Sequence, residues 1–210
     1  MKVLLINGSP RKAGCTFTAL SEVAKTLNEE NIETEIFHIG DEPIAGCISC
    51  RACRELGKCV KDDIVNKFAG IAKGADGFVF GSPVYYAGIN GSLACFMDRL
   101  FFSDPSFGSG ILSLKPAACV VSARRAGTTA ALDQLMKYSA LAQMPIITSR
   151  YWNMVHGNTP EEVMQDLEGL QIMRCLARNM AWFLKCKEAG IKAGIPFPKS
   201  EERIATNFIR

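Results

Sequence analysis

Lys2-Val3-Leu4-Leu5-Ile6-Asn7-Gly8-Ser9-Pro10-Arg11-Lys12-Ala13-Gly14-Cys15-Thr16 is an apolar run that breaks into a loop of glycines and hydroxyls. Behind it Leu20, Val23, Ala24 and Leu27 recur at helical spacing. An apolar run without alternation reads as a strand buried on both faces, so the stretch is a strand, a tight loop and a helix. Gly8 and Gly14 permit close backbone, Ser9, Thr16 and Thr18 supply hydroxyls, and the helix start aims N–H groups outward. That combination suits an anion site for one phosphate, with Ser9, Pro10, Arg11, Gly14, Cys15, Thr16, Phe17 and Thr18 as its candidate residues. An ordinary Gly/Ser turn is the plainer alternative. A Walker A loop is excluded because Ala13 stands where its second glycine belongs, and the dinucleotide fingerprint G-x-G-x-x-G fails at Pro10. His38, not an acidic residue, ends the second apolar run, so nothing there holds a ribose.

Working outward, further apolar runs at Glu33–His38, Gly77–Phe80, Ala117–Val121 and Ile146–Arg150 alternate with helical patterns. Those helices start near Thr16, behind Asp62-Asp63, after Gly91 and at Thr128. A last one is capped by Thr159 with Pro160 and Glu162, carries an apolar stripe from Val163 through Leu167 to Leu184, and stops at Gly190. The pattern predicts an α/β fold: a doubly wound, five-stranded parallel sheet in the flavodoxin-like order 2-1-3-4-5, with a cysteine-rich loop inserted at 46–60. Residues 1–190 form this domain and 191–210 a tail with one short helix near Glu201. In such a sheet the ligand belongs at the carboxyl ends of strands 1, 3 and 4, beside the switch point, and the cysteine loop is expected to emerge at the same end.

Two more loops reach that end. Gly81-Ser82-Pro83-Val84-Tyr85-Tyr86-Ala87-Gly88 joins rings to exposed amides, which suits a planar ring system with polar edges; Ser82, Pro83, Val84, Tyr85, Tyr86 and Gly88 are its candidates. Tyrosines capping the core are the alternative. Ser122-Ala123-Arg124-Arg125-Ala126-Gly127 opens a helix, and Ser122, Arg124, Arg125 and Gly127 could face the pyrimidine edge of a flavin or form a solvated turn.

Cys47, Cys50, Cys53 and Cys59 are spaced C-x2-C-x2-C-x5-C. Thiolates every third residue converge only from a loop curled around a compact object, as in iron–sulfur proteins. Zinc, which usually takes two separated CxxC knuckles, and free thiols remain open. Arg51, Arg54, Lys58 and Lys61 would offset the negative charge of a thiolate-bound cluster. Cys95, Cys119, Cys175 and Cys186 lie in apolar stretches and read as core residues, while Cys15 sits at a helix start, where a thiol's pKa can fall. His156 follows the fifth run in a loop that reads as a hydrogen-bonded turn, contact with a flavin or a substrate being the alternative.

A chain of 210 residues buries roughly 70% of its unfolded surface without staples. Nine cysteines are an odd number, and Val3–Ile6 is too short for a signal-peptide core, so a reducing cytoplasm is expected. No apolar run reaches membrane-spanning length. A formal charge of +3 is too small to imply nucleic acid, and a mean hydropathy of +0.10 is compatible with a buried subunit interface.

In this order, the three loops and the cysteine run resemble the NADPH-dependent FMN reductase-like flavoproteins, and within them the iron–sulfur flavoprotein branch. Gly8-Ser9-Pro10-Arg11 with Gly14 and Thr16 matches the phosphate loop; Gly81-Ser82-Pro83-Val84-Tyr85 with Gly88 and Gly91, then Phe96-Met97-Asp98-Arg99, matches the flavin-ring loop and its helix; the four cysteines match the compact cluster motif. The likeness spans about residues 1–145. Cys15, Ala94 and the glycine-poor Arg124-Arg125-Ala126-Gly127 depart from it. It implies bound FMN, a [4Fe–4S] cluster ligated by the four cysteines, and a homodimer or dimer of dimers. Electrons would pass between NAD(P)H, as a transient donor, or a reduced carrier, and a quinone-like or small redox acceptor. A plain NAD(P)H-dependent FMN, quinone or azo reductase with a structural cysteine loop is one alternative. A non-enzymatic electron carrier or redox sensor is another.

Overall fold

The computed structural model describes residues 1–104, 110–199, 201, 204–206 and 208. Strands β1 (Lys2–Asn7), β2 (Glu33–His38), β3 (Gly77–Tyr85), β4 (Gly88–Ile89), β5 (Ala117–Ala123) and β6 (Met154–His156) alternate with helices α1 (Cys15–Glu29), α2 (Cys53–Leu56), α3 (Ile64–Ala72), α4 (Gly91–Ser103), α5 (Thr128–Leu141), α6 (Pro160–Val163) and α7 (Leu167–Lys192). The parallel strands run β2-β1-β3-β5-β6, and β4 pairs only with β3. With that short hairpin strand set aside, this is the expected flavodoxin-like order.

Side-chain alternation explains why the central strands read as unbroken apolar runs. Leu4, Ile6, Phe78, Phe80, Cys119 and Val121 face a core shared with α3, α4 and α5. Val3, Leu5, Val79, Ala118 and Val120 face a second core shared with α1 and α7. Both faces are covered, so neither residue parity can be polar. The first core holds a chain of rings, Phe37–Phe68 at 5.0 Å and Phe68–Phe96 at 5.4 Å between centroids. The second is tied at its rim by Arg174 and Glu22.

Several expectations are corrected. The fifth strand is Met154–His156, not Ile146–Arg150; only Ile146 bridges Ala117 before the chain leaves the sheet edge and returns beside Val121. Thr148 and Ser149 are instead held by α7, through Asn179 and the Ile172 carbonyl. The last helix is two helices. Thr159 caps α6, but the Asp166 carboxylate accepts both the Gly169 and His156 amides and starts α7, leaving Leu167 exposed rather than on the stripe. The helix passes Gly190 and ends before Gly194, whose φ of +82° suits glycine. Cys186 is exposed because it lies on the outer side of α7, whereas Cys119 is buried as expected and Cys95 and Cys175 are half-buried. The helix expected near Glu201 falls largely outside the described residues. Among the described residues no helix is long and apolar enough to cross a membrane.

Two outcomes follow from this packing. A Cβ at Gly8 would meet Leu93 at 2.5 Å and the Gly81 carbonyl at 2.7 Å; Gly8→Ala lowers stability in urea by about 1–3 kcal/mol, the cost of overpacking against backbone. Burial pushes the Cys119 thiol from an ordinary 9.0 up to about 12. The folded state therefore holds this proton more tightly than the unfolded chain, so the group's contribution to stability is present below pH 9 and is lost as pH rises from there. Peptide mass spectrometry after iodoacetamide at pH 8 finds Cys119 unmodified in folded protein and alkylated in urea.

Candidate functional site

At the carboxyl end of the sheet the three loops are stitched together by short bonds. The Gly8 amide donates to the Gly81 carbonyl at 2.9 Å, one step beyond the β1–β3 pairing of Asn7 with Gly81. The Thr16 and Ser122 hydroxyls share a hydrogen bond of 2.8 Å, linking the first loop to the third. Pro83 pairs with Ser122 along β3 and β5. Ser9, Thr16, Ser82 and Ser122 are all buried.

The first loop is shaped by its own polar groups. Asn7 Oδ1 accepts the Ser9 amide at 3.1 Å and Ser9 Oγ accepts the Arg11 amide at 3.1 Å. His38 Nε2 bonds the Ser9 carbonyl at 2.8 Å, so the residue ending β2 braces this loop. Gly14 caps α1 with no side chain to accept the first-turn amides. The N–H groups of Cys15, Thr16 and Phe17 thus face outward unclaimed by any cap, as an anion site requires. Pro10 and Arg11 are exposed above them. Cys15 lies close by, but its sulfur donates to the Gly157 carbonyl at 3.6 Å, and burial raises its thiol. The lowering anticipated at a helix start does not occur.

The second loop is a hairpin rather than an open loop. β3 continues to Tyr85, turns through Tyr86 (φ +49°) and Ala87 (φ +59°), and returns as β4. Two consecutive left-handed residues are the signature of a I′ turn. No glycine marks it, which hid it from sequence. Tyr85 and Tyr86 project from the turn into solvent. Beneath it, Gln134 of α5 accepts the Ile89 amide at 3.0 Å, and Asn90 caps α4 by accepting the Leu93 amide at 3.1 Å. Sequence reasoning missed both. The third loop closes against this hairpin at Gly127 (φ +96°), where a Cβ would stand 2.8 Å from Ala87 Cα. Arg124 and Arg125 are exposed.

The cysteine loop leaves the sheet at the same end, beside His38, but then descends along the flank of α4. Cys47, Cys50, Cys53 and Cys59 line one small hollow of about 20 Å³, with Ile48, Val60, Phe102 and the cations Arg51, Lys61 and Arg99 around them. Positive φ at Ser49 (+53°), Arg51 (+61°) and Gly57 (+65°) curls the chain around it. The Ser49 amide donates to Cys47 Sγ at 3.4 Å, and Cys53 Sγ to the Phe102 carbonyl at 3.7 Å. Phe102 lies three turns along α4, about 16 Å from its start near the flavin-type loops. Among the described residues, no three cysteine, histidine or acidic side chains stand close enough together to form a metal-ligand group. The four sulfurs share a hollow but are spread around it. The donor set, four thiols with backbone N–H groups and cations at hand, is chemically that of an iron–sulfur centre.

The loop's hydrogen bonds concentrate at its base. Asn66 clamps Cys59 through both backbone groups, accepting its amide at 3.1 Å and donating to its carbonyl at 2.9 Å. Arg99 is the largest fully buried side chain of the fold, 2% exposed. It forks onto Asp63 at 2.6 and 2.9 Å and donates through Nε to Cys59 Sγ at 3.2 Å. Burial opposes both charges, yet their mutual bonds prevail: Asp63, also bonded by the Val65 amide, is held below the ordinary carboxylate range and Arg99 above the ordinary guanidinium value. Of the basic residues expected beside the cysteines, Arg51 and Lys61 line the hollow, Lys58 lies 3.8 Å from Asp62, and Arg54 points out from α2. The resemblance had grouped Arg99 with the flavin helix, whereas its side chain serves the cysteine loop. An arginine amid the apolar stripe of α4 was the available signal.

Residues 1–159 match the family model described as NADPH-dependent FMN reductase. The chain is 33% identical over 192 residues to an iron–sulfur flavoprotein of Methanocaldococcus jannaschii, covering 88% of this chain and 98% of the relative. It is 29% identical over 196 residues to one from Archaeoglobus fulgidus, covering 87% and 97%. Among solved structures it superposes on RosB, bound to the intermediate 8-demethyl-8-formylriboflavin-5'-phosphate, with a TM-score of 0.72 at 14% identity, covering 99% of this chain and 92% of that one. A flavodoxin from the domain Archaea gives 0.60 at 16% identity, covering 88% and 99%. These structural likenesses establish the flavodoxin-like fold, and the sequence matches establish more: the chain belongs to the NADPH-dependent FMN reductase family, as an FMN-dependent oxidoreductase.

Proposed function

We propose that this oxidoreductase passes electrons between NAD(P)H or a reduced carrier and an acceptor by way of FMN and a [4Fe–4S] cluster held by Cys47, Cys50, Cys53 and Cys59. The observation that carries the reading is that all four thiols, and no other cysteine, line one hollow ringed by Arg51, Lys61 and Arg99. Relatives over nearly the full chain bear the name iron–sulfur flavoprotein. In this reading the sulfurs spread around the hollow draw inward when iron and sulfide enter, which three left-handed residues in a mostly exposed loop permit.

FMN, when bound, can accept a hydride and release electrons singly, and so joins two-electron donors to one-electron carriers. Ser9, Thr16 and the amides of Cys15, Thr16 and Phe17 would hold the phosphate, while the Thr18 hydroxyl donates to the Gly14 carbonyl at 3.2 Å and braces the loop. Pro10 and Arg11 border it from outside, and the Arg11 stem lies over Gly14, where a Cβ would meet it at 3.1 Å. Ser82, Pro83, Val84, Tyr85, Tyr86 and Gly88 would border the ring. Ser122 and Gly127 would close the other side, and the exposed Arg124 and Arg125 would supply positive charge toward the ring's pyrimidine edge. The loop offers a single anion site, so a dinucleotide is a passing donor and not a resident. A small redox partner or a quinone-like molecule fits the acceptor's part. A homodimer or dimer of dimers is part of this proposal.

Anaerobically prepared Cys50→Ser loses iron and acid-labile sulfide while retaining one FMN per chain, read by chemical analysis and the absorption spectrum; iron content equal to the parent protein would refute the cluster assignment. Gly127→Ala cannot keep its φ or its spacing to Ala87 without strain, so it weakens FMN affinity about tenfold or more, roughly 1.4 kcal/mol. Fluorescence titration of apoprotein with FMN measures this, and an unchanged Kd places the ring elsewhere.

A further inference from the structure

Arg99 makes five hydrogen bonds, one for each N–H of a guanidinium. Nε donates to Cys59 Sγ at 3.2 Å; the two terminal nitrogens donate to Asp63 Oδ2 at 2.6 Å and Oδ1 at 2.9 Å, to the Ala45 carbonyl at 3.3 Å and to the Lys61 carbonyl at 2.8 Å. Ala45 precedes the first cysteine of the loop and Lys61 follows the last, so one side chain closes the loop at both ends. It does so from α4, a rigid element, while Cys47 and Cys50 are exposed. A lysine could not replace it, because three donors on one atom cannot span acceptors on two strands of chain and a sulfur together.

The chemistry extends beyond scaffolding. A buried cation is weakly screened by salt. Hydrogen bonds to ligand sulfur and nearby positive charge both ease the addition of an electron to an iron–sulfur centre. Only Cys59 receives such a donor from a charged side chain among the described residues; Cys47 takes a backbone amide, and Cys53 itself donates to a carbonyl.

We infer that Arg99 is a positioning residue for the cluster: its guanidinium fixes Cys59 as the anchored ligand and, through the Nε–H bond and its charge, sets the cluster's reduction potential, with Asp63 as the opposing weight. This rests on the cluster reading above.

The test uses the whole protein, prepared anaerobically, as parent, Arg99→Gln, Arg99→Lys and Asp63→Asn, each assayed for iron, sulfide and FMN and then titrated redox-potentiometrically with EPR detection. Asn is also a good helix N-cap, so Asp63→Asn leaves α3 started. Arg99→Gln shifts the midpoint potential down by about tenfold in the reduction equilibrium, about 59 mV for one electron. Arg99→Lys falls between that value and the parent. Asp63→Asn, which leaves the guanidinium unopposed, shifts the potential up. A purely structural role for Arg99 does not produce opposite signs. If the Arg99 variants lose the cluster but keep FMN, the positioning claim stands and Asp63→Asn alone reads the electrostatic one. Unshifted potentials, or shifts of the same sign from Arg99→Gln and Asp63→Asn, overturn the inference while leaving the cluster reading intact. A parent protein that binds FMN but takes up no iron or sulfide sinks both.

Discussion

The hydrogen bond from the Gly8 amide to the Gly81 carbonyl is the hinge of the architecture. It is the last rung between β1 and β3, the two neighbouring strands at which the sheet's winding reverses. Beyond it the chains part: β1 feeds α1 on one face, and β3 runs on into the hairpin and α4 on the other. Neither glycine has room for a side chain. A Cβ at Gly81 would press on Leu20 at 2.9 Å and Thr16 at 3.0 Å, and one at Gly8 on Leu93 at 2.5 Å. The strands therefore meet in a glycine seam packed by Leu93 on one face and by Leu20 and Thr16 on the other, at the switch point where a doubly wound sheet opens its crevice.

Helix α4 carries this order to the second site. Its start, capped by Asn90, lies under the Tyr85–Gly88 hairpin, and its flank bears Cys95, Arg99 and Phe102 against the cysteine loop. One rigid element thereby references both the flavin-type loops and the thiols to the same core, through Leu93, Phe96, Met97 and Leu100. The loop itself has little core to hold it: Ile44 is buried, while the segment from Ala45 to Leu56 is mostly exposed. Its geometry depends on polar anchors at its base, Asn66 and the Arg99–Asp63 pair, and on the one mid-loop bond from Cys53 to the Phe102 carbonyl, and an exposed loop so lightly held is the kind of segment that can close on a ligand at small energetic cost.

The sheet was legible because burial on both faces forces central strands into unbroken apolar runs, and Leu4, Phe80 and Val120 had no polar neighbours to blur the pattern. Edges were less legible. Met154–His156 is a short strand whose pairing with β5 depends on the chain looping away after Ile146, and Ile146–Arg150 carries the stronger strand composition. The Tyr86-Ala87 turn was unreadable because neither residue favours positive φ; packing against Gly127 holds it there. The break before α7 is set by Asp166, whose carboxylate bonds a distant amide, that of His156, as well as its own helix.

The loops with their glycines and hydroxyls, and the cysteine motif, were legible in sequence alone, since glycine, hydroxyl and thiol spacing express local backbone needs that hardly depend on context. Tertiary structure decided the relations between them: that Ser122 meets Thr16, that Gln134 and Asn90 support the hairpin, and that Arg99 reaches Cys59, Asp63 and both ends of the loop. Those partners lie up to 106 positions apart. Their pairing follows from which helix is laid over which strand, a consequence of burying two cores at once, and no local pattern encodes it.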